Sequence, residues 1–184
     1  MSELLSQVRE TKTLDGAYPV YANAVISLMR TCAEDLSPTA LYVLLPSIRH
    51  IYRLANEYAR MGIDIFSLTE VINDGTIFIS PPVVESTDNK LAIVDGIHRA
   101  WIARKERIPL NVISVCGADP AYPTIGQPVT WNEVKEYETK PEDPALLRRL
   151  RPGIADESSS LRKYYRDLSY LGSSGRRPRD GQKA

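Results

Sequence analysis

The clearest alternation of hydrophobic and polar segments lies just past the middle of the chain. An apolar run from Leu91 to Val94 ends at Asp95-Gly96, and apolar residues then recur at helical spacing from Ile97 to Arg107. Pro109 ends this helix because proline lacks the backbone N–H, and a second β-branched run extends from Asn111 to Val115. The pattern predicts a strand, a glycine turn, a helix and a second strand in close succession.

A second series of strand, turn and helix signals precedes the one that ends at Val115. The apolar run from Ala40 to Leu45 predicts a strand, and Pro46-Ser47 interrupts it. Ser47 is a favourable N-cap because its hydroxyl can accept from the free amides of a first helical turn, so a helix is expected from about Ile48 to Arg60. Gly62 is expected to follow this helix in the left-handed conformation.

Turn and strand signals fill the interval between these two series. Asn73-Asp74-Gly75 is typical of a tight turn, and the run from Thr76 to Ser80 predicts a strand. Pro81-Pro82 keeps the chain extended into a further apolar segment, Val83 to Glu85. A polar turn then leads into the strand that ends at Asp95, so these residues predict a hairpin.

The first part of the chain gives a mixed signal. Residues 1–16 are polar with some helical character. Between Tyr18 and Glu34, one set of apolar residues alternates as in a strand, whereas a second set recurs at helical spacing. The length of the segment and its small residues favour a helix from about Pro19 to Glu34, with proline in its first turn.

The composition changes after Cys116. Proline and glycine are frequent from Gly117 to Pro128, which predicts a loop. Apolar residues then recur at helical spacing in three short segments, which are expected to be helices: Trp131–Tyr137, Pro141–Pro152 and Leu161–Leu171. The first of these should pack on the domain through its tryptophan. Residues 173–184 are polar and basic and are expected to be disordered.

Together these elements predict an α/β (α+β) fold, a compact domain with a small mixed sheet and helical extensions at both ends. Four segments are expected: a helical lead-in (1–39), the α/β domain (40–116), a Pro-rich loop with a helical extension packed on it (117–172) and a basic tail (173–184). A chain of 184 residues is long enough to bury one such core.

Composition excludes some classes of partner. Lys and Arg number 23, and Asp and Glu also number 23, so no net charge draws the whole protein to nucleic acid and any such surface must be local. Cys32 and Cys116 lie far apart and form no metal-binding or redox motif. No signal peptide or long apolar span is recognisable, so a cytoplasmic protein without a membrane partner is expected.

The glycine turn carries the most reactive combination of side chains. Asp95 can cap the following helix, and Gly96 permits close approach of a ligand or of another backbone segment. Amides at a helix start attract anions, and Arg99 adds a planar guanidinium suited to phosphate. His98 is of a type that titrates near neutral pH. The turn is therefore a candidate anion site, although an ordinary turn with a solvated arginine fits the same spacing.

The order of these parts resembles the ParB/sulfiredoxin superfamily over about residues 40–116. The turn Asp95-Gly96-Ile97-His98-Arg99 is similar to the Asp-Gly-x-His-Arg form of free serine kinases. The resemblance implies that an ATP-like nucleotide, accompanied by Mg²⁺, binds with its phosphates on Gly96, Ile97, His98 and Arg99. It also implies that Ser47 and Arg49 reach the nucleotide from the preceding helix, and that Asp95 and His98 act in catalysis.

Two differences between this chain and members of the superfamily restrict the functions that the resemblance implies. Sulfiredoxins use a cysteine in this turn, and Ile97 stands at that position, so sulfiredoxin activity is not expected. Chromosome-partitioning ParB proteins carry Gly-Glu-Arg-Arg here and continue into a helix-turn-helix domain, which the Pro-rich segment after Cys116 does not suit. A CTP-dependent clamp is therefore not expected, whereas nucleotide binding at the turn is.

Two function classes remain open at this point. The first is an enzyme that transfers a phosphoryl group from the nucleotide to a small-molecule acceptor, or hydrolyses the nucleotide. The second is a ParB-like nucleic-acid-binding or nuclease protein that uses the basic tail, with Arg176, Arg177 and Arg179 on the phosphates. The neutral overall charge favours the first class, and the basic tail favours the second. A catalytically inactive member that acts through protein partners also remains open, as does a homodimer.

Overall fold

The computed structural model describes residues 3–13, 16–73, 78–87, 90–121, 128–142, 165–168 and 171. Three α-helices lie in this part of the chain: α1 (Glu3–Arg9), α2 (Leu45–Arg60) and α3 (Ile97–Glu106). Its strands are β1 (Val25–Thr31), β2 (Leu36–Ser37), β3 (Tyr42–Leu44), β4 (Ile72–Asn73), β5 (Phe78–Ile79), β6 (Val83–Thr87), β7 (Lys90–Asp95), β8 (Leu110–Cys116) and β9 (Lys135–Tyr137). Two short 3₁₀ helices, Ala33–Asp35 and Trp131–Glu133, are also present.

Five strands form a mixed sheet in the order β1-β8-β6-β7-β2. β8 lies antiparallel to β1 and parallel to β6, β6 and β7 form an antiparallel hairpin, and β2 adds a short parallel edge to β7. The sheet and the helices confirm the predicted α+β class with a small mixed sheet. The predicted order of strand, helix, hairpin, glycine turn, helix and strand is also confirmed.

Both faces of the sheet are covered. Alternate residues of a strand point to opposite faces, so one strand can contribute to two cores. From β8, Leu110 and Val112 join a core that includes α2 and α3, while Ile113 and Val115 join a second core that includes α1. α2 presents a buried stripe at helical spacing to the first core: Ile48, Ile51, Leu54 and Tyr58. The glycine turn joins β7 to α3 and so belongs to the side of the first core.

The helix predicted from Pro19 to Glu34 is wrong. Residues Val25–Thr31 form β1, which pairs along its whole length with β8, from Val25 opposite Cys116 to Thr31 opposite Leu110. Ile26 is buried in the second core while its neighbour Val25 is exposed, and the other residues of the alternating set, from Tyr18 to Ala24, precede the strand. Pairing with a strand distant in sequence therefore outweighed the local helical spacing.

The helix predicted from Trp131 to Tyr137 is also wrong. A single 3₁₀ turn is followed by β9, which runs parallel to β3. Trp131 does pack in the core as expected, since it is 7% exposed and its indole N–H donates to the carbonyl of Ala33 at 2.8 Å. The two aromatic residues that recur at helical spacing here therefore lie in two different elements, Trp131 in the 3₁₀ turn and Tyr137 in β9.

The C-terminal part of the chain returns to the second core. Arg166 forms a β-bridge with Thr13, and Leu168 and Leu171 are buried against the sheet. Residues 165–168 are not α-helical, so the helix predicted from Leu161 to Leu171 is wrong over this stretch.

Several predictions fall on residues that the structure does not describe. They are the greater part of the helix predicted from Pro141 to Pro152 and the basic tail with Arg176, Arg177 and Arg179. The division of the chain into four segments stays a prediction. Among the described helices, none has the length and apolar character needed to cross a membrane.

Candidate functional site

The turn between β7 and α3 depends on Gly96. This residue is the N-cap of α3 and has a φ of 89°, in the left-handed region that favours glycine. A Cβ atom at this position would lie 2.6 Å from the Cβ of Pro82. The close approach that the sequence predicted is therefore made by a proline of the polypeptide chain, and it fixes the path of the turn.

Asp95 ends β7 one residue before the N-cap. Its Oδ1 accepts from the backbone N–H of Gly96 at 2.9 Å, and Gly96, the N-cap residue of α3, has no side chain that could cap the helix. Asp95 is therefore held within the turn, and capping of α3 by its carboxylate stays a prediction. Its negative charge lies close enough to Arg99 to favour the protonated guanidinium.

Arg99 is buried in the first turn of α3, with 2% of its surface exposed. Its Nη2 donates to the carbonyl of Ser80, whereas Nε and Nη1 have no hydrogen-bond partner among the described residues. Burial lowers the pKa of Arg99 to about 10, and the charge of Asp95 acts in the opposite direction. The side chain remains a cation at neutral pH with two of its donor groups unused.

His98 connects the start of α3 with the start of α2. Its Nε2 accepts from the backbone N–H of Leu44 at 3.1 Å, and Leu44 is the N-cap residue of α2. A ring nitrogen that accepts a hydrogen bond carries no proton, so this contact selects the neutral ring with its proton on Nδ1. The imidazole thus fixes the two helix starts beside each other.

The start of α2 differs from the prediction. The helix begins at Leu45, with Leu44 as its N-cap, so Ser47 is the third helical residue and not the cap. Because the first amides of a helix have no acceptor within it, the N–H groups of Leu45 and Ser47 belong to the unpaired end of α2. Pro46 has no N–H to satisfy, which suits its place in the first turn. The positive end of the α2 dipole therefore lies on the side of His98.

Arg49 lies one turn further along α2 and is bound to a carboxylate. Its Nη1 and Nη2 donate to the two oxygens of Glu138 at 3.0 and 2.8 Å. This hydrogen-bonded pair raises the pKa of Arg49 and lowers the pKa of Glu138. Both side chains are more than half exposed. Nothing in the sequence pattern marked Glu138, which stands in a polar run after β9.

The buried carboxylate Glu85 lies away from the turn, in the second core. Its Oε1 accepts from Arg166 Nε at 2.7 Å and from the hydroxyl of Tyr21 at 2.8 Å. Burial and the charge of Glu85 raise the pKa of Tyr21 well above its usual value. Glu85 therefore attaches the described C-terminal residues to the sheet through Arg166.

The structure brings most of the predicted site residues together at two helix starts. Asp95 to Arg99 form the junction of β7 and α3, and His98 joins this junction to α2, where Ser47 and Arg49 lie. No group of His, Cys, Asp and Glu side chains in the described residues is arranged to hold a metal ion by itself. The described groups at these two helix starts are a buried guanidinium, an imidazole and helix-start amides.

Comparison with known proteins identifies the family. The ParB CE domain family matches residues 3–135, which is more than half of the chain. No match was found among curated proteins or among solved structures. The match includes α1, the whole mixed sheet, the glycine turn and α3, and it stops at the start of β9. The chain belongs to the ParB CE domain family.

Proposed function

We propose that the turn from Asp95 to Arg99 binds the phosphates of an ATP-like nucleotide, and that the protein transfers or hydrolyses its terminal phosphoryl group. The observation that carries this proposal is the environment of Arg99. A fully buried guanidinium with two unpartnered donors is unfavourable by itself and is satisfied by an anion. A charge-assisted hydrogen bond contributes about 1.5–3 kcal/mol, so such a ligand would gain affinity at this position.

The backbone supports the same assignment. α3 and α2 contain 10 and 16 residues, and His98 holds their N-terminal ends together. Each helix start presents amide donors and the positive end of a helix dipole, which favours negative charge. Two such ends beside one buried arginine suit a ligand with several phosphates better than one with a single carboxylate.

The reaction is supported by the same groups. Phosphoryl transfer requires mainly that the phosphates be positioned and that their charge be neutralised. Arg99 supplies fixed positive charge, and the His98 contact keeps the two helix starts in place. Mg²⁺ would arrive with the nucleotide and help to neutralise its charge, and the carboxylate of Asp95 is the oxygen ligand that the turn would offer it. The acceptor would be a small molecule or water.

Calorimetric titration tests this function. ATP with Mg²⁺, ADP and CTP are titrated into the wild type, into Arg99→Met and into Arg53→Met, which makes the same substitution at an exposed position of α2. We expect binding to the wild type and to Arg53→Met, and at least tenfold weaker binding to Arg99→Met. Phosphate release is measured with the same proteins.

Duplex DNA is titrated in parallel. Salt-sensitive binding of DNA that is unaffected by Arg99→Met, together with no binding of any nucleotide, would reject the proposal in favour of a nucleic-acid-binding protein.

A further inference from the structure

We propose that Glu138 is an internal competitor for this anion site. Its carboxylate holds the guanidinium of Arg49 at the start of α2, and a phosphate-bearing ligand displaces it on binding. The inference rests on the proposed function and adds a means of regulating access to the site. Glu138 lies just beyond residues 3–135, the part of the chain that matches the family.

The strand register places Glu138 at the right end of α2. β9 runs parallel to β3 with Tyr137 opposite Leu44, the N-cap residue. Glu138 follows directly after the end of β9, and Leu45, the first residue of α2, follows directly after the end of β3. A carboxylate at this position lies at the positive end of the helix dipole, where an anionic ligand would also be favoured.

The contact with Arg49 has the geometry of ligand recognition. Nη1 of Arg49 donates to Oε1 of Glu138 at 3.0 Å, and Nη2 donates to Oε2 at 2.8 Å. This two-point contact is the one by which arginine binds carboxylates and phosphates from ligands. Helical side chains lean toward the N-terminus, so Arg49 is directed back over the first turn of α2. Glu138 thus stands in for the negatively charged group of a ligand.

The pair is exposed enough to be displaced. The side chains of Arg49 and Glu138 are 57% and 61% exposed, whereas those of the buried pair Arg166 and Glu85 are 1% exposed. Exposed ion pairs contribute little stability and are screened by salt. A ligand that also accepts hydrogen bonds from the buried Nε and Nη1 of Arg99 would therefore displace Glu138, whereas an anion that contacts Arg49 alone would not.

The segment that carries Glu138 is held in place by other contacts. Glu136 accepts from the indole N–H of Trp101 at 3.0 Å and from Lys105 at 3.3 Å, both on α3. A capping box between Thr130 and Glu133 fixes the turn before β9. Release of Arg49 would therefore free the end of the segment and leave β9 paired, which permits reversible exchange of one anion for another.

The test is the affinity for two ligands, ATP with Mg²⁺ and inorganic tripolyphosphate, measured by calorimetry. Glu138→Gln removes the competing charge and keeps the shape, so both ligands should bind about two- to fivefold more tightly than to the wild type. Arg49→Met should weaken binding, and Glu138→Gln should have no effect in that background. Raising the salt concentration should reduce the gain from Glu138→Gln.

A matched control separates competition from a general effect of charge. Glu136→Gln removes the same charge two residues away and should leave the affinities unchanged, because Glu136 contacts α3 and not Arg49. Equal affinities of Glu138→Gln and wild type, with intact dependence on Arg99, would overturn the competitor proposal alone. Absence of binding in every variant would overturn the nucleotide site and the competitor together.

Discussion

Replacing Arg99 with methionine should separate stability from ligand binding. Methionine has a similar length and no charge, so Arg99→Met should leave the ligand-free protein at least as stable as the wild type. The same substitution should weaken nucleotide binding at least tenfold, because the donors Nε and Nη1, which have no partner among the described residues, are lost. Buried charged groups often behave in this way when apolar residues replace them.

The magnitude follows from the surroundings of the guanidinium. Burial lowers the pKa of Arg99 to about 10, against about 12.5 for an exposed arginine. Because one pKa unit corresponds to about 1.4 kcal/mol, burial disfavours the charged side chain by about 3 kcal/mol. Methionine removes this penalty but leaves the carbonyl of Ser80 without its donor, which costs about 1–3 kcal/mol. The net change in the free energy of unfolding should lie between zero and a gain of about 2 kcal/mol.

Urea unfolding at neutral pH measures this change, with Arg53→Met as the exposed control that should stay within about 0.5 kcal/mol of the wild type. A ligand at 100 times its dissociation constant for the wild type should stabilise the wild type by about 2.7 kcal/mol and Arg99→Met by about 1.4 kcal/mol or less. A loss of more than about 2 kcal/mol in ligand-free Arg99→Met would refute the reasoning, since Arg99 would then be compensated without a ligand.

The pH dependence gives a second check of the same side chain. The pKa of Arg99 is lower in the folded than in the unfolded protein, so its unfavourable contribution is fully present below about pH 10. The contribution fades as the pH rises from about 10 toward the unfolded value. The advantage of Arg99→Met over the wild type should therefore be constant near neutral pH and shrink above about pH 10.

Substitutions at three further positions, Gly96, His98 and Glu85, test the contacts that stabilise the fold, each measured by urea unfolding. Gly96→Ala should lose about 2 kcal/mol or more, because alanine is strained at a φ of 89° and its Cβ would overlap the neighbouring proline. His98→Leu should lose about 1–3 kcal/mol by leaving the amide of Leu44 unpaired, and His98→Gln, which can still accept, should lose less. Glu85→Gln should lose about 3–5 kcal/mol, because Arg166 is left buried and uncompensated. Replacing both members of that pair with methionine should lose much less.

The glycine turn was predictable because its signals are local. The apolar run before Asp95, the glycine and the helical spacing after Ile97 all act within a few residues of one another, and β7 and α3 begin and end close to the predicted positions. The hairpin before the turn was predictable for the same reason, since the prolines and the polar turn mark its ends.

β1 and β9 were predicted as helices because the contacts that decide them are distant in sequence. β1 is a strand because it pairs with β8, which lies some eighty residues later along the chain. β9 contains three residues and exists because β3 offers a free edge. Neither partner is visible from local periodicity, which in both segments favoured the wrong element.

The environment of each site residue could not be predicted from the sequence either. The motif identified Arg99 but gave no sign that it would be buried against Ser80 with two donors unpartnered. The start of α2 was misplaced because its N-cap amide is bound by His98, 54 positions further along the chain, and not by a local side chain. Long-range contacts thus determine the burial and the hydrogen-bond partners of the site residues, whereas the local sequence pattern determines which residues form the site.

The most direct test of the nucleotide site is the NMR signal of the Arg99 side chain in protein labelled with ¹⁵N. The Nε–H group of Arg99 has no partner among the described residues, so a phosphate bound at the turn should become its acceptor. We predict that this resonance, assigned by its absence in Arg99→Met, shifts on addition of ATP with Mg²⁺ or of tripolyphosphate and stays in place with adenosine. An Arg99 resonance that stays unchanged while ATP binds elsewhere on the protein, or while ATP fails to bind, would contradict the central claim.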